Sequence, residues 1–169
     1  MLRVSTRTFD FAPFQGETAP LIDVALANEQ SNLKFNAVRL RQAVEMVLAD
    51  AAISHATISI AVVDDTAIHE LNRRFLQHDY PTDVLSFVLE RNENNLDGEV
   101  IVSADHALRY APEYDWSADD ELLLYVIHGT LHLVGYDDQD DASRAIMRAR
   151  EQEYLAKLRA TRPDDRPSN

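Results

Sequence analysis

A chain of 169 residues, 46% of them hydrophobic, suffices for one packed domain and is short for two. Cysteine is absent, which excludes disulfides and thiolate metal sites and leaves any metal to His, Asp or Glu. The net charge of −13 argues against non-specific binding to nucleic-acid phosphates, and no run approaches the roughly 18 apolar residues of a membrane span.

The N-terminus has no basic start followed by an apolar stretch, so a soluble, cytoplasmic protein is expected. Residues 1–19 and the Pro-rich, charged 160–169 read as poorly ordered ends around one domain over 20–159. Within it, LIDVAL (21–26) suits a strand. Asn36 to Ala51 follows as a helix with Val38, Val44, Val47, Leu48 and Ala51 on one side. TISIAVV (57–63) is a second strand, and Asp64 or Asp65 caps a helix running to Phe75. After the turn cluster HDYPTD (78–83), VLSFVLE forms a strand, RNENNLDG a long loop and EVIVS another strand. Ser103 opens a short helix to about Tyr110. Ser117 and Asp120 have capping-box spacing before ELLLYVIHGTLHLV, and an amphipathic helix closes the chain from about Asp141 to Arg159. The expectation is an α/β or α+β domain on about four strands of a mixed sheet.

The segment with chemical content is His128-Gly-Thr-Leu-His132-Leu-Val-Gly135-Tyr-Asp-Asp138. Histidines four apart on a helix share a face, about 5–6 Å between Cβ atoms, which suits two imidazoles at one ion. Gly135 supplies a left-handed helix end that returns the chain towards the same point, and Asp138 stands where a third donor belongs, in the frame of the metzincin zinc sites. The plain alternative, a buried helix among Leu131, Leu133 and Val134, leaves two inward imidazoles and an acidic turn unexplained. Gly129 occupies the position of the general base in His-Glu-x-x-His proteases, so that peptidase mechanism is excluded, and its use is to let another backbone approach closely.

This string resembles the hallmark of the YbeY family of bacterial endoribonucleases, His-Gly-x-Leu-His-Leu-x-Gly-Tyr-Asp-His, in all but its last position. PTDVLSF (81–87) and DGEVIVS (97–103) are similar to two further blocks of that family, in the same order. The resemblance implies a zincin-like α/β fold and one Zn2+, or another divalent metal, on His128, His132 and Asp138. It also implies single-strand-specific RNA cleavage in 16S rRNA 3′ end maturation and ribosome quality control, with ribosomal RNA and ribosomal particles as partners. A ribosome-assembly or RNA-binding factor with a weakly catalytic metal site, or a zinc hydrolase of another substrate, are the rival readings.

The chain departs from the family twice. Asp138 stands for the third histidine, a competent ligand that lowers the site's charge; Asp137 matches the family's own Asp and ranks below it. Leu76 stands for an arginine in the Asn-x-x-Tyr/Phe-Arg block, and Arg73, three residues back, shares its face best, the alternative being a solvated helix surface. Ser86 is a candidate to line the site. Glu99 is a candidate base or partner of a ligating histidine, or a solvent-facing strand residue. Asp83 either caps a turn or joins the cleft, and His55, His69 and His106 read as surface residues.

Overall fold

A computed structural model describes residues 21–160. Four strands, β1 (Leu21–Asn28), β2 (His55–Val63), β3 (Val84–Arg91) and β4 (Asn95–Ser103), form a mixed sheet in the order β1-β2-β4-β3. β1, β2 and β4 run parallel, and β3 closes one edge antiparallel to β4. The helices are α1 (Ala37–Asp50), α2 (Asp65–Leu76), α3 (Ala104–Tyr110), α4 (Ala118–Leu133) and α5 (Asp141–Ala160), with a 3-10 turn over Ala111–Tyr114. The expected α/β fold is therefore present. The flexible ends expected at 1–19 and 160–169 lie outside the described residues, apart from Ala160, which closes α5.

Strand alternation sorts the side chains. Ile58, Ile60, Val62, Leu96, Val100 and Val102 enter the main core with α1, α4 and α5, whereas Val63, Leu85 and Ile101 join Ile68 in a smaller core under α2. α4 is buried along most of its length, including Leu122, Leu123, Val126, Ile127, Leu131 and Leu133. It is thus the central beam between the sheet and the outer helices. Arg39, 5% exposed, ties α1 to the start of α4 through Asp119 (2.6 Å) and Asp120 (2.8 Å).

Several local expectations change. The loop read over 91–98 shrinks to 92–94, because β4 begins at Asn95 with Leu96 fully buried and Gly98 lying against Leu133. Its polar Asn and Asp residues disguise a strand whose alternate positions face the core. On α1 the buried stripe runs through Leu40, Ala43, Val44, Val47 and Leu48, while Val38, 59% exposed, and Ala51 face outward. Asp64 is the α2 cap, accepting from the Ala67 amide at 2.8 Å. Asp65 instead accepts from the Ser103 hydroxyl (2.7 Å) and Arg109 (2.8 Å). Ser117 caps α4 through the Asp120 amide, and the Asp120 carboxylate accepts from Arg39.

Candidate metal centre

The last two turns of α4 carry His128 and His132, and the helix spacing stacks their rings edge to face with centroids 4.7 Å apart. Their Nε2 atoms stand 3.1 Å from each other. The helix then ends in a Schellman motif: the Gly135 amide donates to His132 O and the Tyr136 amide to Leu131 O, both at 3.0 Å. Gly135 has φ +107°, a conformation that favours glycine. Arg91 on β3 fastens the same helix end, donating to Leu133 O (2.9 Å) and Val134 O (3.2 Å) where the helix dipole is negative.

Beyond the glycine, Asp137 accepts from the Asp138 and Gln139 amides (2.7 and 3.2 Å), so its carboxylate holds the turn. That turn brings Asp138 back to the histidines, its oxygens 3.8 Å from His128 Nε2 and 3.7 Å from His132 Nε2. Asp138, and not Asp137, thus joins the pair. Ligand atoms about 2.0–2.2 Å from a tetrahedral ion lie roughly 3.3–3.6 Å from one another. Separations of 3.1, 3.7 and 3.8 Å need only small side-chain adjustments to meet that geometry.

The hydrogen bonds behind the rings make the same case. His128 Nδ1 faces Glu151 Oε1 at 2.7 Å, and His132 Nδ1 faces the Tyr136 carbonyl at 3.1 Å. An ionised carboxylate and a carbonyl only accept, so both Nδ1 atoms carry a proton, which leaves both Nε2 atoms, facing one point, as the ligating positions. With the Asp138 oxygens there as well, the cluster asks for a cation. Burial alone would lower the His128 pKa, but the Glu151 hydrogen bond and charge, with Asp83 and Asp138, hold it above the ordinary value of 6.5. This chain's donor set therefore fits a divalent metal.

The remaining candidates divide. Ser86 and Leu76 line a cavity of about 380 Å³ over His128 and His132, together with Asp83. Asp83 does both things expected of it: its Oδ1 accepts from Thr82 and from the Val84 amide, and it borders the cleft. Glu99 is not brought to the centre. Its neighbours Gly98 and Val100 touch α4, so the two-residue strand period turns Glu99 to the opposite face, beside Arg74, Phe75 and Phe87. Arg73 is exposed and outside the cavity that Leu76 borders, since three residues of helix separate them by a further 60° of rotation. Gly129 does make room for close packing, but for the side chains of Val100 and Val84, not for backbone. His106 is partly buried, with Nδ1 2.8 Å from the Tyr125 hydroxyl, and is not a surface residue.

Sequence reasoning missed Glu151, Arg91, Arg144 and Arg148. Glu151 had a signal: it interrupts the buried stripe of Met147, Tyr154, Leu155 and Leu158 on α5, and a buried acid on an apolar face implies a partner. Arg144 and Arg148, one turn apart on α5, border a cavity of about 260 Å³ with His128, Asp138 and Glu151.

The family profile described as Endoribonuclease YbeY matches residues 25–159. A protein of Rhodopirellula baltica named Endoribonuclease YbeY is 46% identical over 114 residues, 62% of this chain and 59% of the relative's length. One of the same name from Syntrophotalea carbinolica is 39% identical over 145 residues, 80% of this chain and 95% of the relative. The solution structure of a Thermotoga maritima protein superposes with a TM-score of 0.57 at 26% identity, covering 86% of this chain and all of that one.

Proposed function

The chain belongs to the Endoribonuclease YbeY family, and from that premise we propose that it hydrolyses phosphodiester bonds in single-stranded RNA, with ribosomal RNA in ribosomal particles as the substrate, at a zinc ion held by His128, His132 and Asp138. The observation that carries the reading is the convergence of these three side chains with both Nδ1 atoms already committed to oxygen acceptors. A divalent ion held by His128, His132 and Asp138 would supply Lewis-acid stabilisation of the charge developing on phosphoryl oxygens and would activate a water nucleophile.

The chain's own residues do the rest. Glu151 and the Tyr136 carbonyl fix the two rings in one tautomer and one orientation. Asp138 adds a negative charge that a third imidazole would not, so the centre polarises less strongly than a three-histidine one. Ser86 and Asp83 border the approach on one side, and Arg144 and Arg148 provide positive charge on the other. Those arginines offer phosphate contacts on an otherwise acidic molecule, and they come from α5, not from the α2 position where Leu76 lies.

Purified, nuclease-free protein should cleave single-stranded RNA and lose that activity when His128 and His132 are both replaced by alanine. Equal cleavage by the double variant contradicts the mechanism. Leu76, apolar and bordering the cavity, favours a second reading, an RNA-binding assembly factor with little turnover. A large gain in cleavage by Asp138→His over wild type would support that second reading.

A further inference from the structure

A larger cavity, about 850 Å³ and within the roughly 300–1,000 Å³ range of small-molecule sites, shares His128 and Asp83 with the one that Ser86 lines. Its wall is aromatic. His106 stacks on Tyr110 with ring centroids 4.2 Å apart, and Tyr114 and Trp116 stand 6.0 Å apart at 46°. Arg159 covers one side of Trp116 at 4.6 Å, while Tyr114 remains 60% exposed.

Two polar groups make this more than an apolar hollow. Glu121 is 4% exposed and borders the cavity, yet its Oε2 is buried with no hydrogen-bond partner among the described residues. A buried acceptor left unmade is destabilising unless something donates to it. Arg148 borders both this cavity and the one at Asp138, is exposed, and has no ion pair among the described residues, whereas Arg144 is paired with Asp141. Flat rings, one unmet acceptor and one unpaired cation thus line a cavity with His128, where the Asp83 and Glu151 carboxylates also stand, Glu151 already bonded to His128 Nδ1 and Asp83 to Thr82 and the Val84 amide.

We propose that this cavity holds one unpaired nucleobase of the RNA strand beside the metal centre, stacked on the aromatic wall, its amino group donating to Glu121 and its adjoining phosphate meeting Arg148. The inference rests on the endoribonuclease reading and adds to it a base preference. Cytosine carries an exocyclic amine where uracil carries a carbonyl oxygen, so Glu121 favours the first and repels the second. A base inside a duplex cannot reach the wall, which gives a physical source for single-strand selectivity.

Trp116 is the single tryptophan of the chain, so its fluorescence reports on the cavity directly. The full chain is titrated in EDTA, where RNA stays intact, with six-residue oligocytidylate and oligouridylate; cleavage of both is then measured with metal. Saturable quenching by oligocytidylate, at least about fivefold tighter than by oligouridylate, is expected. Tyr114→Ala, at an exposed position that does not endanger folding, should weaken binding about 5- to 150-fold, the loss of one base–aromatic stack. Glu121→Gln, of the same shape, should level the two strands, and Arg148→Ala should reduce the salt dependence of binding. No quenching by either strand from a protein that still cleaves RNA, or unchanged binding and cleavage by Tyr114→Ala, overturns the subsite and leaves the nuclease standing. A protein that neither binds nor cleaves single-stranded RNA overturns both.

Discussion

Replacing Glu151 by glutamine removes one negative charge from behind His128 while keeping the side-chain shape. The contact is short, 2.7 Å, and mostly shielded, with side-chain exposures of 27% for His128 and 11% for Glu151. Hydrogen bonds to ionised partners are roughly twice as strong as neutral ones, and loss of such a group behind a ligating imidazole lowers metal affinity about 10- to 100-fold. The glutamine oxygen still accepts the Nδ1 proton, so Glu151→Gln should fall near 10-fold, about 1.4 kcal/mol, and Glu151→Ala nearer 100-fold. Competition for zinc against a chromophoric chelator reads this directly. In the metal-free protein the same pair has a pH signature. The folded pKa of His128 is raised above 6.5, so its stabilisation is complete below the unfolded value and is lost as pH rises through the folded one. Wild type should therefore exceed Glu151→Gln in stability by more at about pH 6 than at about pH 8. Zinc affinities within twofold of wild type for both variants would refute the orienting role of Glu151.

Three further outcomes follow from the packing around the site. A Cβ on Gly129 would meet Val100 Cγ1 at 2.8 Å and Val84 Cγ2 at 3.0 Å, so Gly129→Ala sets an overpacking cost of about 1–3 kcal/mol against a helix gain of about 1 kcal/mol; urea unfolding should show a net loss of up to about 2 kcal/mol. Ser103→Ala removes the α3 cap at the His106 amide and the hydroxyl given to Asp65, costing about 1 kcal/mol in thermal unfolding. Burial pushes the Asp65 carboxyl up, but its bonds from Arg109 and Ser103 and the Arg109 charge bring it below 3.8, so that stabilisation is present above the ordinary value and lost as pH falls through the lowered one; acid unfolding of the variant should begin at higher pH. Arg91→Met frees the Leu133 and Val134 carbonyls, and hydrogen exchange at Gly135 and Tyr136 should quicken while core amides of β2 stay protected.

The histidine pair and the glycine stop were legible because they depend on local geometry alone: i,i+4 spacing sets the rings together and a positive φ asks for glycine. The choice of Asp138 over Asp137 also follows local rules, although it took the turn hydrogen bonds to decide it. What depends on register was harder. Strand β4 begins inside an Asn- and Asp-rich stretch because Leu96 and Gly98, not the Asn95 and Asp97 that alternate with them, face the core. The same alternation decides between the two readings of Glu99, turning it away from the centre to the opposite face of the sheet. Partners brought from distant elements could not be read from spacing at all: Glu151 reaches His128 across 23 positions, and Arg91 reaches Leu133 across 42. The arginine missing at Leu76 directed attention to Arg73, whereas Arg144 and Arg148, which border a cavity with His128 and Asp138, come from α5.

The most direct test is elemental analysis of the purified chain together with X-ray absorption and anomalous diffraction at the metal edge. One divalent ion per chain is predicted, zinc by preference, with His128 Nε2, His132 Nε2 and an Asp138 oxygen within about 2.0–2.2 Å. An ion whose shell omits Asp138, or a chain that binds no divalent metal with either histidine intact, would contradict the proposed centre.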